Sequence, residues 1–190
     1  MKKRFLHIVA FFALAAGLSL TSCSKEDPAE AIPNEPASVD TGRTATITGY
    51  VVMQDDISVA QPVFSAPAAA NFKMTVSIPY TDLMGANYRG VVANWTTTNV
   101  DYNASNGKFT ATVPVGLNKS TVTLTLASFV GTQKQDVAGN TVTKNGIWVA
   151  PASFSATVTK DGEVHFVTSV KQYSFSETSG IKGDKVPLLW

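Results

Sequence analysis

From Thr44 onward, apolar and polar positions alternate along the chain. Ala45, Ile47, Gly49, Val51 and Met53 fall on one side of this pattern, and Thr44, Thr46, Thr48 and Tyr50 on the other. The alternation returns in Phe72, Met74, Val76 and Ile78, then in Phe109, Ala111, Val113 and Val115. It recurs in Val122, Leu124 and Leu126, with Thr121, Thr123 and Thr125 between them. A period of two with threonine on the wet side predicts half-buried antiparallel strands. We place strands near 44–53, 71–79, 91–98, 108–115, 121–130, 147–159 and 163–175. Pro62, Pro67 and the small residues Ala66 to Ala70 mark a loop between the first two, and Leu83 to Asn87 reads as a turn. Short strands separated by turn signals predict an all-β fold, an antiparallel two-sheet sandwich of about seven strands.

Asn106-Gly107, Asn145-Gly146 and Asp161-Gly162 stand where hairpin turns would. The last of these carries a register prediction. A two-residue loop would pair Val158 with His165 and mix the two faces. A three-residue loop, Lys160-Asp161-Gly162 with a left-handed Gly162, pairs Val158 with Val164 and Ala156 with Phe166. A one-residue slip moves every side chain to the other face, so the consistent register should win. It leaves His165 facing water.

Residues 1–22 do not alternate. Lys2, Lys3 and Arg4 precede an apolar run from Phe5 to Leu20. This is the layout of a secretory signal, and the run is shorter than the roughly 20 residues that span a bilayer. Leu20-Thr21-Ser22-Cys23 resembles the lipobox of bacterial lipoproteins, in which the cysteine becomes the acylated first residue of the mature chain. The resemblance implies a diacylglycerol thioether on the Cys23 sulfur and an acylated amine, since one acyl chain anchors only marginally. Cys23, the single cysteine, is then an anchor, neither nucleophile nor disulfide partner. Lys25, Glu26 and Asp27 follow at once. They resemble the signal that sends lipoproteins of gut-type Gram-negative anaerobes to the outer face of the outer membrane; the alternative is a merely solvated linker. Pro28, Pro33 and Pro36 continue a flexible tether to about Asp40. The chain therefore divides into a signal peptide (1–22), anchor and tether (23–43) and β-sandwich domain (44–190). Roughly 150 residues suit one domain with a sizeable core.

Within the domain, Thr46-Ile-Thr-Gly-Tyr-Val51, Lys73-Met-Thr-Val-Ser-Ile78, Asn106-Gly-Lys-Phe-Thr-Ala-Thr-Val-Pro-Val-Gly116 and Thr121-Val-Thr-Leu-Thr-Leu126 occur in that order. The series resembles the transthyretin-like, or carboxypeptidase-regulatory-like, β-sandwich, where a Gly-Lys-Phe turn opens a strand ending near Val-Pro. The likeness covers Thr44 to about Val130, with a longer first connection and a longer turn before Gly107; an immunoglobulin-like sandwich is the other reading. It implies a structural or adhesive role and carries no shared catalytic residues.

Charge and chemistry narrow the picture further. Removing the signal takes away three cations and no acid, so the formal charge falls from +1 to −2. That argues against nucleic acid, which is bound by a basic face. His165 is the one histidine of the mature chain, with Glu163 and Thr157 as neighbours and no nucleophile beside it. Metal binding has no pattern, because Asp55-Asp56 and Asp136 to Asn140 read as polar loops without calcium-loop spacing. Trp95, Trp148 and Trp190 are candidate sugar platforms. Trp95 shares a face with Val91 and Ala93, which predicts core; Trp148 has no assignable face. Trp190 ends an apolar segment from Lys185 that docks on the sandwich or is donated to a neighbour. The expectation is a non-catalytic, cofactor-free module, held to the outer membrane through Cys23 and presented outside the cell. An adhesive or glycan-binding accessory role with a glycan or protein ligand fits, and its ligand-binding residues are not assignable. The alternative is a pilus-like or envelope-assembly subunit that joins partners by strand addition.

Overall fold

The computed structural model describes residues 42–85 and 93–178. It is an all-β sandwich of two packed sheets, with twelve strands among the described residues rather than about seven. The strands are β1 (Thr44–Ile57), β2 (Val63–Ser65), β3 (Met74–Pro79), β4 (Asn94–Thr97), β5 (Asp101–Asn103), β6 (Lys108–Pro114), β7 (Ser120–Leu126), β8 (Phe129–Val137), β9 (Asn140–Val149), β10 (Phe154–Val158), β11 (Val164–Phe166) and β12 (Lys171–Glu177). A five-residue helix, α1 (Tyr80–Met84), follows β3. One sheet orders its strands β12-β9-β8-β1-β6-β5, with β2 and β11 also on β1; the other runs β10-β7-β3-β4.

The core is built from the alternation. Ile47, Val51, Phe109, Ala111, Val113, Val76, Ile78, Val122 and Leu124 are all buried. The Phe109 and Phe154 rings, one from each sheet, meet at 6.3 Å between centroids. Sealing such apolar surface between two sheets is the main drive to this fold. Among the predicted turns, Asn106-Gly107 closes β5 onto β6: Gly107 donates to the Asn103 carbonyl at 2.8 Å with φ at 73°. A β-carbon there would also strike the Val51 carbonyl, so the position needs glycine twice over.

Three expectations are corrected. Asn145-Gly146 is no turn; it lies inside β9, where Gly146 lets Phe175 and Ser176 of β12 approach closely. The hairpin turn falls instead at Ala138-Gly139, both at positive φ (53° and 81°), and the Asp136 carboxylate accepts from the Gly139 N–H at 2.7 Å. Second, 147–159 is not one strand, because Pro151 to Ser153 separate β9 from β10, which join different sheets; 121–130 likewise breaks between β7 and β8, and 163–175 between β11 and β12. Third, β10 and β11 form no hairpin. Gly162 is left-handed as expected (φ 70°), yet β10 pairs with β7 and β11 pairs parallel to β1. The Glu163 carboxylate accepts from the Thr159 and Lys160 N–H groups, and the Glu163 carbonyl accepts from Thr46, so the chain crosses between sheets. Facing is thereby reversed: Val164 and Phe166 are 54% and 64% exposed, while His165 is half-buried beside Ile47.

β1 is the organising strand. Thr44 to Tyr50 pair antiparallel with β6, and Thr46 to Thr48 also pair with β11. Beyond them, Val51 to Met53 pair parallel with β12, and Asp56 and Ile57 with β8. Since β12 pairs β9 and β9 pairs β8, the circuit β1-β12-β9-β8 closes on itself. Aromatic rings fill it: Trp148 and Tyr173 are each 1% exposed, Trp148 packs on Phe175 and Phe129 meets Tyr173 edge-on. The buried Gln133 donates to the Gln54 carbonyl at 2.7 Å, tying β8 to β1.

Candidate functional site

The sandwich has two unlike poles. At the near pole, where the chain enters β1, Arg43 donates to the carbonyls of Gly116 (2.8 Å) and Thr159 (3.3 Å). Thr44 N–H reaches the Asp161 carboxylate at 2.8 Å, and Asp82 of α1 accepts from Thr121 N–H at 2.8 Å. This pole is closed by hydrogen bonds.

At the far pole, the end of the four-stranded sheet carries a groove of about 610 Å³. It opens at the start of β3, the end of β7 and the approach to β5. Phe72 and Val100, both half-buried, give it apolar surface, and the buried Met74 and Leu126, paired across β3 and β7, touch it from the core. Lys73, Thr98 and Thr125 stand exposed around it. The walls are braced. Phe72 stacks flat on Tyr102, 3.8 Å between centroids and 6° between planes, and the Tyr102 hydroxyl donates to the Pro67 carbonyl at 2.8 Å. Ala127 N–H donates to the Lys73 carbonyl at 3.0 Å, and the Tyr173 hydroxyl to the Ala127 carbonyl at 3.1 Å. Burial pushes both phenols up to about 12, so they stay neutral at any physiological pH. Ligand sites of small molecules fall in the range of about 300–1,000 Å³, with a mostly apolar lining and a few polar groups, and this groove has both properties.

The residues singled out from sequence lie elsewhere. Cys23, Lys25, Glu26, Asp27 and the Lys185–Trp190 segment lie outside the described residues, as does Val91. Trp148 is buried in the aromatic circuit and offers no face to a sugar; Trp95 is half-buried against the core. His165 has Glu163 as its charged neighbour, but that carboxylate is spent on two backbone N–H groups, which hold it below the usual range. Asp56 cannot join Asp55 around a cation: one oxygen takes both the N–H and hydroxyl of Ser58, and the other faces Lys134 at 3.6 Å. The Ser58 hydrogen bonds lower its pKa. Among the described residues, no three His, Cys, Asp or Glu side chains gather as metal ligands would.

No protein-family model, curated protein or solved structure matches the chain. The groove is thus the site that geometry alone puts forward. Sequence reading missed it because its parts come from three separate segments. Phe72 read as one more core position, and Lys73 as the polar residue beside it. No local signal marks it, since Phe72 and Lys73 fall inside the strand predicted over 71–79, and only the structure starts β3 at Met74.

Proposed function

We propose that the chain is a lipid-anchored, non-catalytic binding module of the outer membrane, facing the cell exterior, with an adhesive or glycan-binding accessory role. The observation that carries this reading is the placement of the groove. β1 runs roughly 46 Å at about 3.3 Å per residue, and the tether joins it at the pole away from the groove. Acyl chains on Cys23 would attach the domain through this pole. A flexible tether of the length proposed gives a root-mean-square reach of about 25 Å. The groove is then clear of the attachment point.

Protease shaving of intact cells tests the placement, with an epitope after Trp190 followed by blotting. Loss of the band in wild type, and its protection when Lys25, Glu26 and Asp27 are all changed to alanine, is the expected result. Protection in both, with loss only after lysis, would place the domain in the periplasm and end the adhesive reading.

A second reading, a structural subunit joined by strand addition, draws on β11. Only three residues pair it to β1, and its Val164 and Phe166 side chains are exposed. Unboiled gels decide it: a strand-exchanged polymer leaves a heat-sensitive ladder, and a monomer that stays a monomer counts against it.

A further inference from the structure

We infer that the far-pole groove takes an acidic sugar, a uronate or sialate residue of a glycan, and that Lys73 selects it; this rests on the glycan-binding reading above. The half-buried Phe72 ring and Val100 suit the apolar C–H face of a pyranose, which packs against such surface while its hydroxyls stay at the edges. Thr98 and Thr125 supply hydroxyls that both donate and accept, the match for sugar hydroxyls. The Thr125 hydroxyl is already oriented by Ser153 Oγ at 2.9 Å.

Charge makes the choice between neutral and acidic sugars. Among the described residues, Lys73 is the one charged residue lining the groove, and no carboxylate lines it. Among the described residues the ion pairs are Lys134–Asp56 and Lys144–Glu177, so the Lys73 ammonium is left without a carboxylate. The acid nearest in sequence to the groove wall, Asp101, pairs with Thr110 across β5 and β6, on the face opposite Tyr102. The backbone of Lys73 is fixed through Ala127 N–H, so its ammonium works from an anchored stem. A free cation beside apolar surface with hydroxyls at the edge is complementary to one carboxylate on a sugar ring. A neutral sugar would leave that cation unused.

The test uses the full chain purified in detergent against a panel of uronate and sialate oligosaccharides, each beside its methyl ester. The ester keeps the ring and removes the charge. Wild type should bind the acid form at least about tenfold more tightly than the ester, as expected for one charge-assisted contact. K73A should bind acid and ester alike, and K73R should keep the preference. T125W, a change at an exposed position that fills the groove, should abolish binding of both forms while the melting curve stays that of wild type. Equal binding of acid and ester by wild type, or a preference that survives in K73A, overturns the acidic-sugar assignment and leaves a glycan module standing. Binding unchanged in T125W moves the site out of the groove and overturns it too. No binding of any oligosaccharide by the folded chain removes both this inference and the glycan reading.

Discussion

The Glu163 carboxylate shows how much one side chain can decide. It caps the N–H groups of Thr159 and Lys160 and so turns the chain from one sheet to the other. Those bonds favour the ionised form, so its folded pKa lies below the ordinary 4.5. A depressed carboxyl pKa contributes stability that is present above the unfolded value and lost as pH falls through the folded one. E163Q should therefore be less stable than wild type at neutral pH, and the gap in melting temperature should close as the buffer is taken below 4.5. A gap independent of pH would mean that the carboxylate charge has no part in the cap. Gly107 is decisive in another way. With positive φ and the Val51 carbonyl against it, G107A should cost about 1–3 kcal/mol in urea unfolding. Both residues show what sequence can disclose: Asn106-Gly107 announces its turn through chemistry local to the pair. Glu163 reads as an ordinary strand residue, because its partners are set by a crossover that only tertiary pairing defines.

At the scale of elements, the strands that alternate cleanly were legible and the ones that curl were not. β1, β3, β6 and β7 each bury one face against the opposite sheet, so period two maps directly onto inside and outside. The β8–β9 hairpin carries lysine, glutamine, asparagine and threonine along much of its length, and extends past the sandwich core. Its apolar content is concentrated where it closes the circuit with β1 and β12, a closure no local pattern encodes. Asn145-Gly146 misleads for the same reason: glycine is there to admit the Phe175 ring, not to turn. The circuit also makes a quantitative expectation. W148A empties an almost fully buried aromatic position, packed on Phe175, and should cost about 3–5 kcal/mol by urea denaturation. W95A, at a half-buried position on the edge strand β4, should cost clearly less. Equal losses would show that the circuit is not a packed core. The groove was illegible for a related cause, since it exists only where the ends of β3 and β7 and the entry to β5 come together.

For the whole molecule, the proposed anchor can be tested apart from the fold. C23S should leave the thermal unfolding of the domain unchanged, because Cys23 lies 20 residues ahead of Arg43, while moving the protein from the membrane pellet to the soluble fraction if the thioether proposed above holds it there. A pellet-bound C23S protein would point to a membrane attachment other than the thioether. The arrangement of β1 has a mechanical consequence. A pull on the chain ahead of Thr44 acts along β1, which is flanked by β6 on one side and by β11 and β12 on the other. Ladder hydrogen bonds lie across the strands, so such a force shears many bonds at once instead of peeling them singly. Arg43 adds a clamp at the point of loading. Stretched between its entry at Thr44 and its exit after Glu177, the domain should yield in one high-force event rather than unravel strand by strand.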